Sequence, residues 1–179
     1  MNLFSGLNLI NWHIETRNDG ILVLTLDRPD ASVNALCQAV LNELNGLIER
    51  IAFAPPKGLI IRSGKKAGFI PGADIAEFAE FDAKGSVLEA ISNGQNIFQR
   101  IAELPCPSVV LIHGHCMGGG TELSLACSAR VASNDESCCR YAGKARQRPP
   151  GRFAQARGRR HFRRSRRAGA GTESRRRRH

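Results

Sequence analysis

The sequence predicts an α/β domain followed by a basic tail that lacks a core of its own. Two observations predict the domain. Strand-like apolar runs alternate with apolar residues at helical spacing, and glycine clusters stand at two of the junctions. The third observation is charge: residues 1–139 carry 10 Lys/Arg against 15 Asp/Glu, net −5, whereas residues 140–179 carry 16 Lys/Arg against one acid, net +15. The positive net charge of the whole chain, +10, therefore comes from the tail alone.

Three strands and a first helix are predicted in the N-terminal half and just beyond it. The segments 21–26, 58–63 and 108–113 are apolar, rich in β-branched residues and bounded by Gly or Pro. Between the first two, a helix is predicted from about Ala35 to Ile51, because apolar residues recur every three or four positions. These residues are Leu36, Val40, Leu44, Leu47, Ile48 and Ile51.

Two further helices are predicted. The first ends before Pro105 and is indicated by Val87, Leu88, Ile91, Phe98, Ile101 and Leu104. The second begins within the three glycines 118–120 and continues through Arg130, with Leu123, Ala126 and Ala129 facing the core. Strands that alternate with helices favour a parallel sheet with crossover helices.

The first glycine cluster, Gly72-Ala73-Asp74, leads into a short predicted helix. Asp74 and Glu77 have the spacing of a capping box, in which each side chain accepts a hydrogen bond from the other residue's backbone N–H. From these residues alone, a simple connection between a strand and a helix is the favoured interpretation.

The second cluster, residues 118–120, follows a predicted strand and opens a predicted helix. Glycine lets a ligand approach the backbone, and the first N–H groups of a helix are unsatisfied donors that suit a developing oxyanion. Glu122 would stand beside them as a general acid or base, or would only complement the helix dipole. The pattern His113-Gly114-His115 alone is too weak to indicate a metal site, and Cys138 and Cys139 have no nearby Cys/His pair to complete one, so no metal site is predicted.

Three motifs in order, LDRPDASVNAL, GFIPGADIAEF and IHGHCMGGGTELSLAC, resemble the crotonase (enoyl-CoA hydratase/isomerase) superfamily over residues 10–137. They look most like the hydratase domain of the α-subunits of fatty-acid oxidation complexes. The resemblance implies a spiral of ββα units, here incomplete at its C-terminal end, and an acyl-CoA thioester as substrate. It places the thioester oxygen between two backbone N–H donors, one at Gly119 and one at Pro71.

Proline has no N–H, so the resemblance leaves three possibilities: Ile70 donates, Gly72 donates, or one donor is lost. The substrate contacts that it implies are Ile70, Pro71, Gly72, Ala73, Asp74, Ile75 and Gly118. Glu122 matches the first of two catalytic glutamates, and the second is expected near Ala142, where the sequence has no acid. The expectation is an impaired hydratase. An acyl-CoA-binding module without turnover and an enoyl-CoA isomerase are the alternatives.

The resemblance ends at about residue 137, which predicts a partial hydratase domain over 1–137 and a disordered tail over 138–179. The tail is interpreted as a frame-shifted product of a GC-rich coding sequence, with non-specific nucleic-acid binding as the alternative. Family members form trimers or pair with a thiolase subunit. No cofactor is expected, since NAD serves only the dehydrogenase domain of the family. Neither a signal peptide nor a membrane span is apparent, and a reducing cytoplasm is expected.

Overall fold

A parallel sheet is the centre of the fold in this computed structural model, which describes residues 3–29, 31–74, 77 and 87–134. The strands of the described residues are β1 (Trp12–Thr16), β2 (Ile21–Leu26), β3 (Gly58–Ser63), β4 (Gly68–Ile70), β5 (Ser108–Ile112), β6 (His115–Cys116) and β7 (Ala129–Ala132). The helices are α1 (Gln38–Phe53), α2 (Val87–Ala102) and α3 (Gly119–Ala126). The predicted α/β class is confirmed.

The main sheet has the strand order β1-β2-β3-β5-β7. Only β1 runs antiparallel, because a tight turn at Gly20 joins it to β2 and brings the Arg17 N–H within 2.9 Å of the Ile21 carbonyl. The pairs β2–β3, β3–β5 and β5–β7 are parallel. The three strands predicted from the sequence are present, and the first two have the predicted bounds. A second, two-stranded sheet pairs β4 with β6.

Helix α1 covers the sheet with the apolar face that its sequence predicts. All six residues predicted to face the core are buried, and five of them, all except Leu36, lie in α1. The helix begins at Gln38, however, three residues after the predicted start, because Leu36 is held in an extended bridge with Ala73. The Leu36 backbone N–H and carbonyl are used in that bridge and are not free to begin a helix.

Helix α2 ends at Ala102, before Pro105 as predicted, but only its second half packs into the core. Ile97, Phe98 and Ile101 are buried, whereas Leu88 is 78% exposed and Ile91 is 40% exposed. Helical spacing alone did not distinguish these two groups.

The prediction that α3 continues through Arg130 was wrong, because the helix ends at Ala126. The backbone turns to an extended conformation at Cys127, and Ala129 begins β7, where it is exposed. The cause is an exchange of hydrogen bonds across 20 residues: the Ser128 N–H donates to Ser108 Oγ at 3.0 Å, and the Ser108 N–H donates to Ser128 Oγ at 3.1 Å. Leu123 is buried as predicted, and Ala126 packs partly against the core.

Candidate functional site

Each of the three glycines at the start of α3 has a different role. Gly118 has φ +48°, a conformation that favours glycine. Gly120 lies against β4, where an added Cβ would be 2.2 Å from the Ile70 carbonyl oxygen. Gly119 faces Leu36, whose Cδ1 would be 2.8 Å from an added Cβ. Gly118 and Gly120 thus allow the helix to lie against β4. Gly119 leaves the first N–H group of the helix accessible.

The Gly119 N–H is an unsatisfied donor at the positive end of the α3 dipole. The next three N–H groups are used inside the turn: Gly120 donates to Met117, and both Thr121 and Glu122 donate to Gly118. Across the described ranges, Gly119 N–H has no protein acceptor. In a trans peptide the N–H points opposite to the preceding carbonyl. Because the Gly118 carbonyl points into the helix, the Gly119 N–H points out of it.

The loop Gly72–Asp74 offers a second such donor at Ala73. The Leu36 N–H donates to the Gly72 carbonyl at 2.9 Å, and the Asp74 N–H donates to the Leu36 carbonyl at 3.1 Å. The Gly72 carbonyl therefore points toward Leu36, and the Ala73 N–H of the same peptide points away from it. No acceptor for this N–H exists among the residues that the structure describes.

Two ionised side chains tie this loop to its surroundings. Arg28 Nη1 lies 3.0 Å from Asp74 Oδ2, and both side chains are about one quarter exposed. The Glu77 carboxylate accepts the backbone N–H of Gln38, at 2.8 and 3.1 Å from its two oxygens. The predicted capping box is not formed in full, since the Asp74 N–H donates to Leu36 and not to Glu77.

Gly119 and Ala73 both line one cavity between the two loops and α2. Its walls are Leu36, Gln38, Leu41, Ala73, Glu77, Ala90, Ile91, Gly94, Gln95, Phe98, Gly119 and Glu122. The wall from α2 is apolar apart from Gln95, and it includes Ile91, which explains why this residue is partly exposed although it fits the helical pattern. The cavity combines an apolar wall with two carboxylates and two backbone donors.

Glu122 lies at this cavity with its side chain exposed to solvent. Within the described residues its carboxylate has no hydrogen-bond partner, whereas its backbone N–H donates to the Gly118 carbonyl at 3.1 Å. A carboxylate that is not bound to protein groups is able to accept a proton from a bound water or substrate. Gly119 and Glu122 thus line the same cavity.

The other predicted contacts are distributed differently. Ala73 lines the cavity, whereas Ile70, Pro71, Gly72 and Gly118 are not among its walls. Ile70 is fully buried in β4, and its carbonyl accepts the Met117 N–H at 3.1 Å. Ile75 lies outside the described residues, as does the region near Ala142 where a second carboxylate was expected.

Sequence reasoning did not identify Glu77 or the α2 wall as parts of the site. Glu77 was interpreted as a helix cap, because a capping box is a local pattern and its contact with Gln38 spans 39 residues. A signal for the wall was present: Ile91, Gly94, Gln95 and Phe98 have the spacing of a single helix face.

The remaining candidates for chemistry lie elsewhere. His113 Nε2 is 2.7 Å from the Lys65 carbonyl oxygen, and His115 is exposed on β6. No group of three His, Cys, Asp or Glu able to hold a metal occurs among the described residues. In the same ranges, no helix has the length and apolarity needed to cross a membrane.

Comparison with known proteins gives concordant matches. A family model for enoyl-CoA hydratase/isomerase matches residues 16–143. The fatty acid oxidation complex subunit alpha of Aliivibrio fischeri is 41% identical over 120 residues, and that of Shewanella oneidensis is 36% identical over 125. These alignments cover 66% and 69% of this chain but 18% of each relative. The chain thus spans less than a fifth of the curated relatives that it matches.

Solved structures match the same part of the chain. An enoyl-CoA hydratase from Bacillus anthracis superposes with a TM-score of 0.62 at 30% identity, covering 68% of this chain and 47% of that one. An enoyl-CoA hydratase from Thermoplasma volcanium gives the same TM-score and identity, with 69% and 48% coverage. The chain therefore corresponds to about half of each of these structures.

Proposed function

Because this chain belongs to the enoyl-CoA hydratase/isomerase family, we propose that it binds the thioester of an enoyl-CoA in the cavity between its glycine loops and α2. The observation that carries the proposal is the pair of backbone donors, Gly119 and Ala73, at one cavity with the Glu122 carboxylate. Such donors stabilise negative charge that develops on a thioester oxygen. The apolar α2 wall suits an acyl chain.

We assign the second oxyanion donor to Ala73. The resemblance had placed it at Pro71, which has no N–H, or at the neighbours Ile70 and Gly72. Ala73 lines the cavity and its N–H lacks a protein acceptor, which supports this assignment. With both donors in place, the site avoids a loss of about 3 kcal/mol in transition-state stabilisation, the magnitude that removal of one donor causes in other oxyanion holes.

In the proposed reaction, Glu122 takes a proton from water as the water oxygen adds to the β-carbon. The electrons of the double bond move toward the thioester carbonyl, and the enolate oxygen is held by the Gly119 and Ala73 N–H groups. Protonation of the α-carbon completes hydration, and Glu122 returns the proton for this step. Because one carboxylate does the work of two, we expect turnover slower by about 10²–10⁴-fold than in hydratases that use both.

Hydration of crotonyl-CoA by the purified chain tests the proposal, followed as loss of the absorbance of the enoyl thioester. Turnover that disappears in Glu122→Gln and persists in Glu89→Gln, an exposed acid of the first turn of α2, supports catalysis. Calorimetric binding without turnover favours the acyl-CoA-binding module. Conversion of a 3-enoyl-CoA to its 2-enoyl isomer favours the isomerase. A chain that neither binds nor converts these thioesters contradicts the proposal.

The proposal extends to the organisation of the chain. We propose a partial hydratase domain over residues 1–137 and a separate, frame-shifted tail over 138–179, a hypothesis that resequencing of the coding region tests. The proposed reaction needs no cofactor besides the acyl-CoA substrate. A cytoplasmic location is supported by four buried free thiols, Cys37, Cys106, Cys116 and Cys127. Relatives named as subunits of a fatty acid oxidation complex support a multi-subunit setting.

A further inference from the structure

The Glu77 carboxylate has a specific structural partner at the wall of the cavity. Both of its oxygens lie within hydrogen-bond distance of the Gln38 backbone N–H, at 2.8 and 3.1 Å, and the side chain is half-buried. Gln38 is the first residue of α1, so the carboxylate lies at the positive end of that helix dipole.

Helix α1 has no carboxylate of its own at its N-terminus. Its N-cap, Cys37, makes no side-chain capping hydrogen bond, and no acidic residue occurs in its first turn. The first N–H groups of a helix need acceptors from outside the helix. Glu77 is therefore the carboxylate that the N-terminus of α1 obtains from a distant part of the chain.

Two residues of the segment that enters α1, Leu36 and Gln38, hold the loop that contains Ala73. Leu36 binds the loop on both sides of Ala73, through the Gly72 carbonyl and the Asp74 N–H. Gln38 binds Glu77, three residues further along the loop. The loop is thus attached at three points to one short segment, and Glu77 provides the last of them.

We propose that Glu77 is a positioning residue that fixes the direction of the Ala73 N–H. With the Glu77–Gln38 contact made, the loop cannot rotate about the Leu36 bridge, and the Ala73 N–H stays directed away from Leu36 and into the cavity. The inference rests on the proposed function, because it assigns Ala73 as an oxyanion donor. A donor is effective in such a site only when its direction is set before the substrate binds.

The test uses the full chain and the coenzyme A thioester of 4-(dimethylamino)cinnamic acid, whose absorption moves to longer wavelength when its carbonyl oxygen accepts strong hydrogen bonds. In Glu77→Ala we expect at least half of the bound-state red shift to be lost. We also expect affinity to fall by about five-fold, the equivalent of one lost helix cap. Glu77→Gln keeps one acceptor without the charge and should fall between Glu77→Ala and the wild type. Glu89→Ala should match the wild type.

The spectrum separates positioning from a merely structural role. A structural role lowers the melting temperature but leaves the absorption of the bound thioester unchanged, and that result in both Glu77 variants overturns the inference. If Glu77→Ala does not fold, Glu77→Gln decides by the same criterion. A wild-type complex without any red shift rejects the oxyanion assignment, and the Glu77 inference with it. A wild-type red shift retained in the variants rejects the Glu77 inference alone.

Discussion

At the scale of single residues, adjacent glycines of the α3 turn have different roles, one at the cavity and one in packing. The three consecutive glycines of the α3 turn are identical in the sequence, yet only Gly119 faces the cavity, whereas Gly120 lets α3 approach β4. A glycine motif therefore marks a close approach of backbone, and the structure decides whether the approaching partner is a ligand or another part of the chain.

Gly120→Ala should destabilise the fold strongly, because the new methyl group would lie 2.2 Å from the Ile70 carbonyl oxygen and 2.8 Å from the Ile70 Cβ. Neither atom belongs to a flexible side-chain end, so α3 must move, and we expect a loss of about 3 kcal/mol in the free energy of unfolding. Urea denaturation measures it. Gly94→Ala is the control: its methyl group would meet Leu41 Cδ1 at an ordinary 3.7 Å, and the helix should gain up to about 1 kcal/mol. Equal effects of the two variants would contradict the packing argument.

The Cys127 thiol should make stability depend on alkaline pH. Burial raises its pKa from 9.0 to about 11, against smaller opposing effects of the Ser108 hydrogen bond and the Arg130 charge. Below pH 9 the thiol is neutral in both states. Between pH 9 and pH 11 it ionises in the unfolded chain first, which favours unfolding, so about 2 kcal/mol of stability should be lost by pH 11. The difference in unfolding free energy between wild type and Cys127→Ala should shrink by that amount, and a constant difference would reject the assignment.

At the scale of elements, α1 organises the fold through contacts at both its buried and its polar faces. Its apolar face covers the sheet, and Glu43 joins it to β1. The Glu43 carboxylate accepts the Asn11 N–H at 3.0 Å, the Asn11 Nδ2 at 2.7 Å and the Trp12 N–H at 3.2 Å. Trp12 Nε1 adds a fourth contact, donating to the Val40 carbonyl at 3.0 Å.

Glu43→Ala should therefore cost about 1–3 kcal/mol, since three donors at the start of β1 lose their acceptor and Asn11 is 7% exposed. Thermal or urea unfolding followed by Trp12 fluorescence measures the change next to the site of mutation. The matched control on the same helix is Glu49→Ala, whose exposed partner Arg100 is 3.5 Å away and whose loss should cost less than about 1 kcal/mol. Similar costs for both variants would show that the β1 contact is not specific.

The same elements show what the sequence was able to predict. Strands β2 and β3 have the predicted bounds, because Gly and Pro enclose short apolar runs that are buried in a parallel sheet. The start of α1 and the end of α3 were misjudged, because Leu36 bonds to the Gly72–Asp74 loop and Ser128 bonds to Ser108. Both boundaries depend on partners at least 20 residues away, and local patterns contain no information about them.

In the candidate site, too, the local sequence patterns predicted only the contacts between residues close together in the chain. Gly119 and Glu122 belong to one local motif, and their proximity was predicted from it. The α2 wall reaches the cavity because α2 packs against α1 and α3, and Glu77 reaches it through its contact with Gln38, so both positions required the fold. Pro71 was placed by resemblance to a family motif, and it lies two residues before Ala73, which lines the cavity.

At the scale of the whole molecule, the sign of the net charge separates the chain into two parts. Residues 1–139 have net charge −5 and residues 140–179 have net charge +15. An overall value of +10 would suggest a nucleic-acid-binding protein, although the part that contains the candidate site is acidic.

We expect the full chain to bind RNA through the charge of residues 140–179 alone, so affinity should fall steeply with salt. Each neutralised phosphate of a single strand contributes about −0.7 to the slope of log K against log salt concentration, and six contacts would give a slope of about −4. Filter binding with two unrelated RNA sequences, from low to physiological salt, measures both the slope and the selectivity. Residues 1–139, which carry net negative charge, are the control and should not bind. Equal affinity for both RNAs is expected from charge alone, whereas preference for one sequence that survives physiological salt would show that the basic segment recognises RNA specifically.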